Sequence, residues 1–277
     1  MQPVVLDGPM GTELAARGVP TPGPAWSAHA VESASDVVAA IHRDYAAAGA
    51  TVHTATTFRT TRRVLGARWE AVLGRAVRIA RSSVPASHRV AGSIAPLDDC
   101  YRPDLSPGSR SRPEHAELAR ALAGAGVDVL LCETFPSGVE AAVAVEEAAR
   151  TGVETWAALT AGPAAALMSP RAMADAARAC VESGAAAVLV NCTPAARTLV
   201  YLQAIAEACS RFGAYANAGD ASEGVGWGAP DGPREYARWA GGWLAAGASI
   251  VGGCCGTGPA HVALLARAAG EARGRQR

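Results

Sequence analysis

The sequence predicts a closed (β/α)8 barrel of the TIM type as a single domain. Three observations carry that prediction. Eight short β-branched runs alternate with longer, alanine-rich amphipathic ones. Prolines stand at the starts of the amphipathic runs and glycines just past their ends. A length of 277 residues suits one α/β barrel.

In chain order the predicted strands are Val4–Asp7, Thr51–Thr57, Arg89–Ala95, Val127–Glu133, Thr155–Thr160, Ala186–Cys192, Ala214–Asn217 and Ser249–Cys254. The first predicted helix is Ser35–Ala48, where Val38, Ile41, Tyr45 and Ala48 recur at steps of three and four. The others are Trp69–Val84, Pro113–Ala125, Gly138–Arg150, Pro170–Ser183, Pro194–Phe212, Pro233–Ala246 and Pro259–Arg273. Pro113, Pro170, Pro194, Pro233 and Pro259 mark starts, where a missing N–H costs little. Gly49, Gly126, Gly152, Gly184, Gly213 and Gly247 mark stops. Repeated units in one direction imply a parallel sheet. An open, doubly wound sheet is the rival; eight regular units favour closure. No low-complexity linker divides the chain, so residues 1–277 are read as one domain. The connections 96–112 and 218–232 exceed the usual few residues, and in a barrel they would lie on the C-terminal face, where active sites are built.

Composition excludes several classes. Half the residues are apolar and 18% are charged, with 25 basic against 25 acidic, so no basic field exists to attract nucleic acid or an anionic membrane. The N-terminus lacks the charged and apolar regions of a secretory signal, and no apolar run is long enough to span a bilayer. The expectation is a cytoplasmic protein. The sequence carries no signal for an oligomeric state.

Chemistry concentrates in the cysteines. Cys254 and Cys255 sit in the turn Gly252-Gly253-Cys254-Cys255-Gly256-Thr257, directly after the apolar run Ala248-Ser249-Ile250-Val251. Cys192 ends another such strand, Ala187-Val188-Leu189-Val190-Asn191. At the ends of strands six and eight the three would converge on one mouth of the barrel. Adjacent strand residues point to opposite faces, so a Cys-Cys pair shares an ion only where the strand breaks, as the glycines allow. Three thiolates with one open position compose a catalytic zinc site, and soft sulfur favours zinc over magnesium or calcium. A phosphate cradle would need bare N–H groups and would gain nothing from two thiols. Cys100, Cys132, Cys180 and Cys209 are read as small apolar packing residues. His42 and His261 fall on helices; His29, His53, His88 and His115 are read as surface or strand-packing residues, with His53 reaching the barrel mouth as a minor alternative.

These motifs resemble the homocysteine S-methyltransferase family. Leu6-Asp7-Gly8-Pro9-Met10-Gly11-Thr12-Glu13-Leu14 is similar to its opening strand and turn, and Cys132-Glu133-Thr134-Phe135-Pro136 to its strand-four end. Val190-Asn191-Cys192-Thr193-Pro194 and Gly252-Gly253-Cys254-Cys255-Gly256-Thr257 resemble its two zinc-ligand motifs. The resemblance implies a homocysteine-binding barrel with one Zn2+ held by Cys192, Cys254 and Cys255, and methyl transfer to homocysteine sulfur to give methionine. By position, Asp7 and Glu133 would hold the substrate's amino group, and backbone N–H groups of the turn at Gly8 its carboxylate. Zinc removes the proton from a bound thiol, whose ordinary pKa is about 8.5, and leaves the nucleophilic thiolate.

The sequence departs from the family pattern in three places that bear on acceptor and donor. Pro9 lacks an N–H; the strand-two end reads Thr54-Ala55-Thr56-Thr57-Phe58, where relatives often carry asparagine before Thr-Phe; and the loop 97–104 lacks a Gly/Tyr/Thr-rich segment. No region resembles a cobalamin or folate module. The expected donor is therefore a free sulfonium, S-methylmethionine or S-adenosylmethionine, with Trp227 and Tyr101 offered as aromatic faces for it. Betaine, a methyl-corrinoid partner or a different acceptor thiol would use the same chemistry. A non-catalytic zinc or redox-sensing barrel is the alternative of another class; it needs reversible thiols but no convergent Asp7 and Glu133.

Overall fold

The computed structural model describes residues 3–219 and 232–275. Its strands are β1 (Val4–Val5), β2 (Val52–Ala55), β3 (Arg89–Ile94), β4 (Val129–Phe135), β5 (Glu154–Leu159), β6 (Ala187–Pro194), β7 (Phe212–Asn217) and β8 (Ile250–Gly253). The helices are α1 (Met10–Ala16), α2 (Ala30–Ser33), α3 (Ser35–Ala47), α4 (Arg62–Leu65), α5 (Trp69–Ser83), α6 (Arg112–Gly124), α7 (Gly138–Ala149), α8 (Pro170–Glu182), α9 (Ala195–Ala206), α10 (Gly232–Ala245) and α11 (Pro259–Arg275). All strand pairs are parallel, in the order β1-β8-β7-β6-β5-β4-β3-β2. A bridge from Leu6 to Val52 joins the two ends, and the sheet becomes a (β/α)8 barrel. Among the described residues no helix is long and apolar enough to cross a membrane.

Alternation along the strands sorts side chains into two cores. Val52, Leu131, Trp156, Leu189 and Ile250 fill the barrel; Val90, Leu130, Val188 and Val251 face the helices. The N-terminal end is closed by Trp156, whose ring lies under the guanidinium groups of Arg89 (5.6 Å) and Arg211 (5.1 Å). Its Nε1 donates to Glu154 at 2.7 Å, and Glu154 also pairs with both arginines. With that end plugged, chemistry is left to the C-terminal mouth.

Two predictions needed correction. The predicted helix Pro194–Phe212 stops at Ala206, and β7 starts at Phe212 rather than Ala214. Gly213 is therefore a strand residue and not a helix stop. A Cβ there would lie 2.0 Å from the Ile250 carbonyl oxygen, so its lack of a side chain serves the close approach of β7 to β8. The other five predicted stops do have left-handed backbone, from φ 79° at Gly152 to 106° at Gly184. The second correction concerns residues 10–33, which contain α1, a 3-10 turn at Trp26–His29 and α2, none of them predicted. These segments are too short to show a helical period.

Gly213→Ala is expected to lower stability by about 1–3 kcal/mol through backbone overpacking, read as a lower urea midpoint. Gly241→Ala, in α10 with open space around its Cβ, should raise it by about 0.5–1 kcal/mol.

Candidate metal centre

The three predicted cysteines meet at the barrel mouth. Their sulfur atoms lie within 4.8 Å of one another. Bonds of about 2.3 Å around a tetrahedral zinc ion set its sulfurs roughly 3.8 Å apart, so small side-chain rotations would close the three on an ion. The donor set is all-sulfur and leaves a fourth direction facing the cavity. These residues fit zinc.

Local backbone explains how three sulfurs converge. β8 ends at Gly253, and the Cys254 carbonyl accepts from Thr257 N (3.0 Å) and Thr257 Oγ1 (2.8 Å), which curls the chain. A Cβ on Gly253 would sit 2.2 Å from Thr257 Oγ1, so the curl needs glycine there. Cys254 N donates to Ala216 O and Ala218 N to Cys255 O, both at 2.9 Å, which ties the turn to the end of β7. Tyr236 of α10 places its hydroxyl 2.8 Å from Gly252 O and 3.0 Å from Ala216 N, and so fastens both strand ends from outside.

Cys192 reaches the site by strain. Its φ is 47°, left-handed for a non-glycine residue, at a bulge where the β6–β7 register shifts between Asn191 and Pro194. Thr134 does the same in β4, with φ 64° and a register shift between Cys132 and Phe135. Each conformation costs on the order of 1–3 kcal/mol and persists only when its surroundings hold it. Here the Asn191 side chain accepts from Thr134 N (3.2 Å) and donates to Thr134 Oγ1 (2.8 Å), locking the two bulges together. Thr160 Oγ1 donates to the Cys192 carbonyl at 3.2 Å.

Burial and contact make the thiols behave as one titrating unit. Hydrogen bonds from Cys192 and Cys254 hold Cys255 well below the ordinary thiol range. Cys192, lowered by its bond with Cys254, is carried well above that range by Cys255 and burial, and Cys254 is pushed well above it by Cys192, Cys255 and burial.

Asp7 and Glu133 stand beside the thiols. Asp7 accepts from Thr54 N (2.9 Å) and Thr54 Oγ1 (3.1 Å). Glu133 accepts from Ser93 Oγ and, at 2.8 Å, from the Tyr215 hydroxyl. Burial pushes both carboxyls up, Asp7 strongly, against those hydrogen bonds. No arginine pairs with either among the described residues. Asp7, Gly8, Glu133, Cys192, Cys254 and Cys255 all line one cavity of about 760 Å³, inside the range of about 300–1,000 Å³ typical of small-molecule sites.

A model of the family described as homocysteine S-methyltransferase matches residues 4–269. The chain belongs to the homocysteine S-methyltransferase family. It is 31% identical to homocysteine S-methyltransferase 4 of Zea mays, over 97% of this chain and 90% of that protein. It is 28% identical to homocysteine S-methyltransferase of Escherichia coli K12, over 95% and 94%. The metallated form of the homocysteine methyltransferase MmuM from Escherichia coli superposes with a TM-score of 0.81 at 25% identity, covering 96% of each chain. The fold is the methyltransferase barrel of this family.

Other predictions fare unevenly. Cys132, Cys180 and Cys209 are core residues, but Cys100 is half-buried in the cavity wall, where burial pushes its thiol up to about 11. It lies on the loop after β3, whose residues 97–101 line the cavity together with the thiols. His115 is neither a surface nor a strand residue: it is buried on α6, with Nε2 3.2 Å from Glu140. Tyr101 lines the cavity, whereas Trp227 lies outside the described residues. Sequence reasoning missed Thr54, Ser93 and Tyr215, the donors to the two carboxylates. Their inward register at strand ends was the available signal.

The raised carboxyls fix a pH dependence. A proton held more tightly in the folded state stabilises below the unfolded pKa, about 4, and that contribution is lost as pH rises through the folded value. Asp7→Asn keeps a Thr54 N acceptor and sheds the buried charge. Its thermal midpoint should exceed the wild type's at pH 8, the gain shrinking toward pH 4, with each kcal/mol relieved reading as about 2–4 °C. A lower midpoint at pH 8 would mean that the Thr54 bonds outweigh burial.

Proposed function

We propose that this protein transfers a methyl group from a sulfonium donor, S-methylmethionine or S-adenosylmethionine, to the sulfur of homocysteine, giving methionine. The observation that carries the reading is the convergence of three thiols and two buried, cation-free carboxylates on a single cavity. Cys192, Cys254 and Cys255 would hold zinc. A bound zinc ion supplies Lewis acidity that keeps an acceptor thiol ionised at neutral pH.

The residues of the chain do the rest. Asp7 and Glu133 receive the acceptor's ammonium, an arrangement that offsets the cost of burying two carboxylates. The turn at Gly8 offers N–H groups to the acceptor's carboxylate, without one from Pro9. That anchoring points the acceptor sulfur at the methyl carbon, and alignment for in-line displacement is the protein's main contribution. The acceptor sulfur supplies the pair for the new S–C bond, and the donor sulfur leaves with the old pair as a neutral thioether. No general base at the methyl group is required.

A cationic donor is supported by the aromatic side of the cavity. Trp26 and Phe58 line it with Tyr101, Trp26 meeting Phe58 edge to face at 5.8 Å. Arg59 already covers Phe58, its guanidinium 5.1 Å from the ring, which leaves Trp26 and Tyr101 for a sulfonium. A redox sensor would not require Asp7 and Glu133 in the same cavity as the thiols, so that reading is set aside.

Protein purified under reducing conditions should carry about one zinc per chain and form methionine from homocysteine with one sulfonium donor. S-methylmethionine, S-adenosylmethionine and betaine are to be supplied separately. Turnover with betaine alone would overturn the donor assignment, and absence of zinc would overturn the site. The Asp7→Asn/Glu133→Gln double variant should keep its zinc and lose about 2–5 kcal/mol in kcat/KM for the acceptor, the cost of removing one partner of a buried charged pair.

A further inference from the structure

A second group of ligand atoms lies behind Asp7. His42, on α3, and His53, on β2, each bring one ring nitrogen to within 4.8 Å of a carboxylate oxygen of Asp7 and of each other. All three residues are buried, both histidines completely. Among the described residues neither nitrogen of His42 has a hydrogen-bond partner, and Nδ1 of His53 has no well-formed one, the backbone of Ala50 being its nearest polar neighbour.

That arrangement is costly for a wall between helix and strand. A buried polar group without a partner costs on the order of 1–3 kcal/mol, and buried imidazoles are normally satisfied. His42 shares α3 with the buried apolar Val38, Ile41 and Tyr45, and its ring meets that of His53 edge to face at 6.5 Å. Burial pushes His42 down to about 3, and burial with the neighbouring His88 pushes His53 down to about 4, so both rings are neutral.

We propose that Asp7, His42 and His53 form a second transition-metal site, separate from the three thiols, whose ion competes with the acceptor's ammonium for Asp7. Two imidazoles and one carboxylate suit zinc, cobalt, nickel or copper. Magnesium and calcium ask for more oxygen ligands than this wall holds. The supporting contacts are those expected around metal ligands. Nε2 of His53 lies 3.1 Å from Nδ1 of half-buried His88, whose ring stacks on it at 5.3 Å. Thr54 fixes the Asp7 carboxylate from the other side. Bonds of about 2.0–2.1 Å would draw the three atoms together by roughly 1 Å, within reach of side-chain rotation. Of the three, Asp7 lines the cavity, so it is the ligand that an entering ion meets first. The competition, though not the site, rests on the role of Asp7 proposed above.

Cobalt(II) titration of the full, reduced chain tests this with a readout independent of turnover. Binding at the thiols gives strong sulfur-to-cobalt charge-transfer absorption; binding at two imidazoles and a carboxylate gives only weak d–d bands. The expected result is two cobalt ions per chain, the second adding no charge-transfer intensity. His53→Val, an aliphatic residue suited to its outward strand position, should remove the second ion and keep the first. A Cys192→Ser/Cys254→Ser/Cys255→Ser variant should keep only the ion without charge transfer. Added homocysteine should weaken the second ion's binding at least tenfold while leaving the first in place. Saturation at one ion per chain, or a second ion that persists in His53→Val, would overturn the site. A second ion indifferent to homocysteine would overturn the competition. Failure of the methyl-transfer reading would appear differently, as two bound ions without turnover.

Discussion

Buried acidic groups gathered without a paired arginine, among the described residues, are the constraint on which the mouth of this barrel is built. Three thiols in contact and two carboxylates share one cavity, and the carboxylates are held by neutral donors from Thr54, Ser93 and Tyr215. Neutral donors orient a carboxyl without cancelling the charge it carries once ionised, so ionising either group calls for a cation. A metal ion, an ammonium and a sulfonium are all cations. Each of the proposed occupants would therefore favour ionisation of the same buried groups. The opposite end is built differently, with Trp156, Glu154, Arg89 and Arg211 pairing acid with base.

Position in the fold sets which group meets which cation. Inward side chains at strand ends face the cavity directly, as Glu133 does. Asp7 stands where β1 gives way to the loop, between the cavity and the helix layer, so it is reachable from both sides. The same carboxylate can then border a substrate pocket on one face and a pair of histidines on the other. Few positions in a (β/α)8 barrel offer this, because most strand residues belong wholly to one core or the other.

Much of this was legible in the sequence because it is periodic or local. Eight apolar runs, most of the helix-start prolines and five of the six helix-stop glycines are nearest-neighbour chemistry, and they mark the barrel correctly. The Gly-Gly-Cys-Cys-Gly turn signals a broken strand through its own composition. What escaped is set by contacts across the fold. Gly213 follows a helical run and looks like a stop, but the Ile250 carbonyl of the next strand decides its role. The left-handed Cys192 is invisible in its own segment, since Asn191 and Thr134, 57 residues apart in sequence, hold it. Cys100 reads as a packing residue because nothing nearby in the chain shows that its loop lines the cavity together with the thiols. His42 and His53 look like isolated polar residues until α3 is laid against β2.

The locked pair of bulges has a consequence for engineering. Cys192 is delivered to the mouth by a backbone conformation that β6 would not adopt unaided, and that conformation is borrowed from β4 through Asn191 and from β5 through Thr160. Grafting three cysteines onto equivalent strand ends of an unrelated barrel would copy the ligands and not the geometry, and the third sulfur would point along an ordinary strand. The smallest transplantable unit is the set of three adjacent strand ends, β4 to β6, together with the β8 turn.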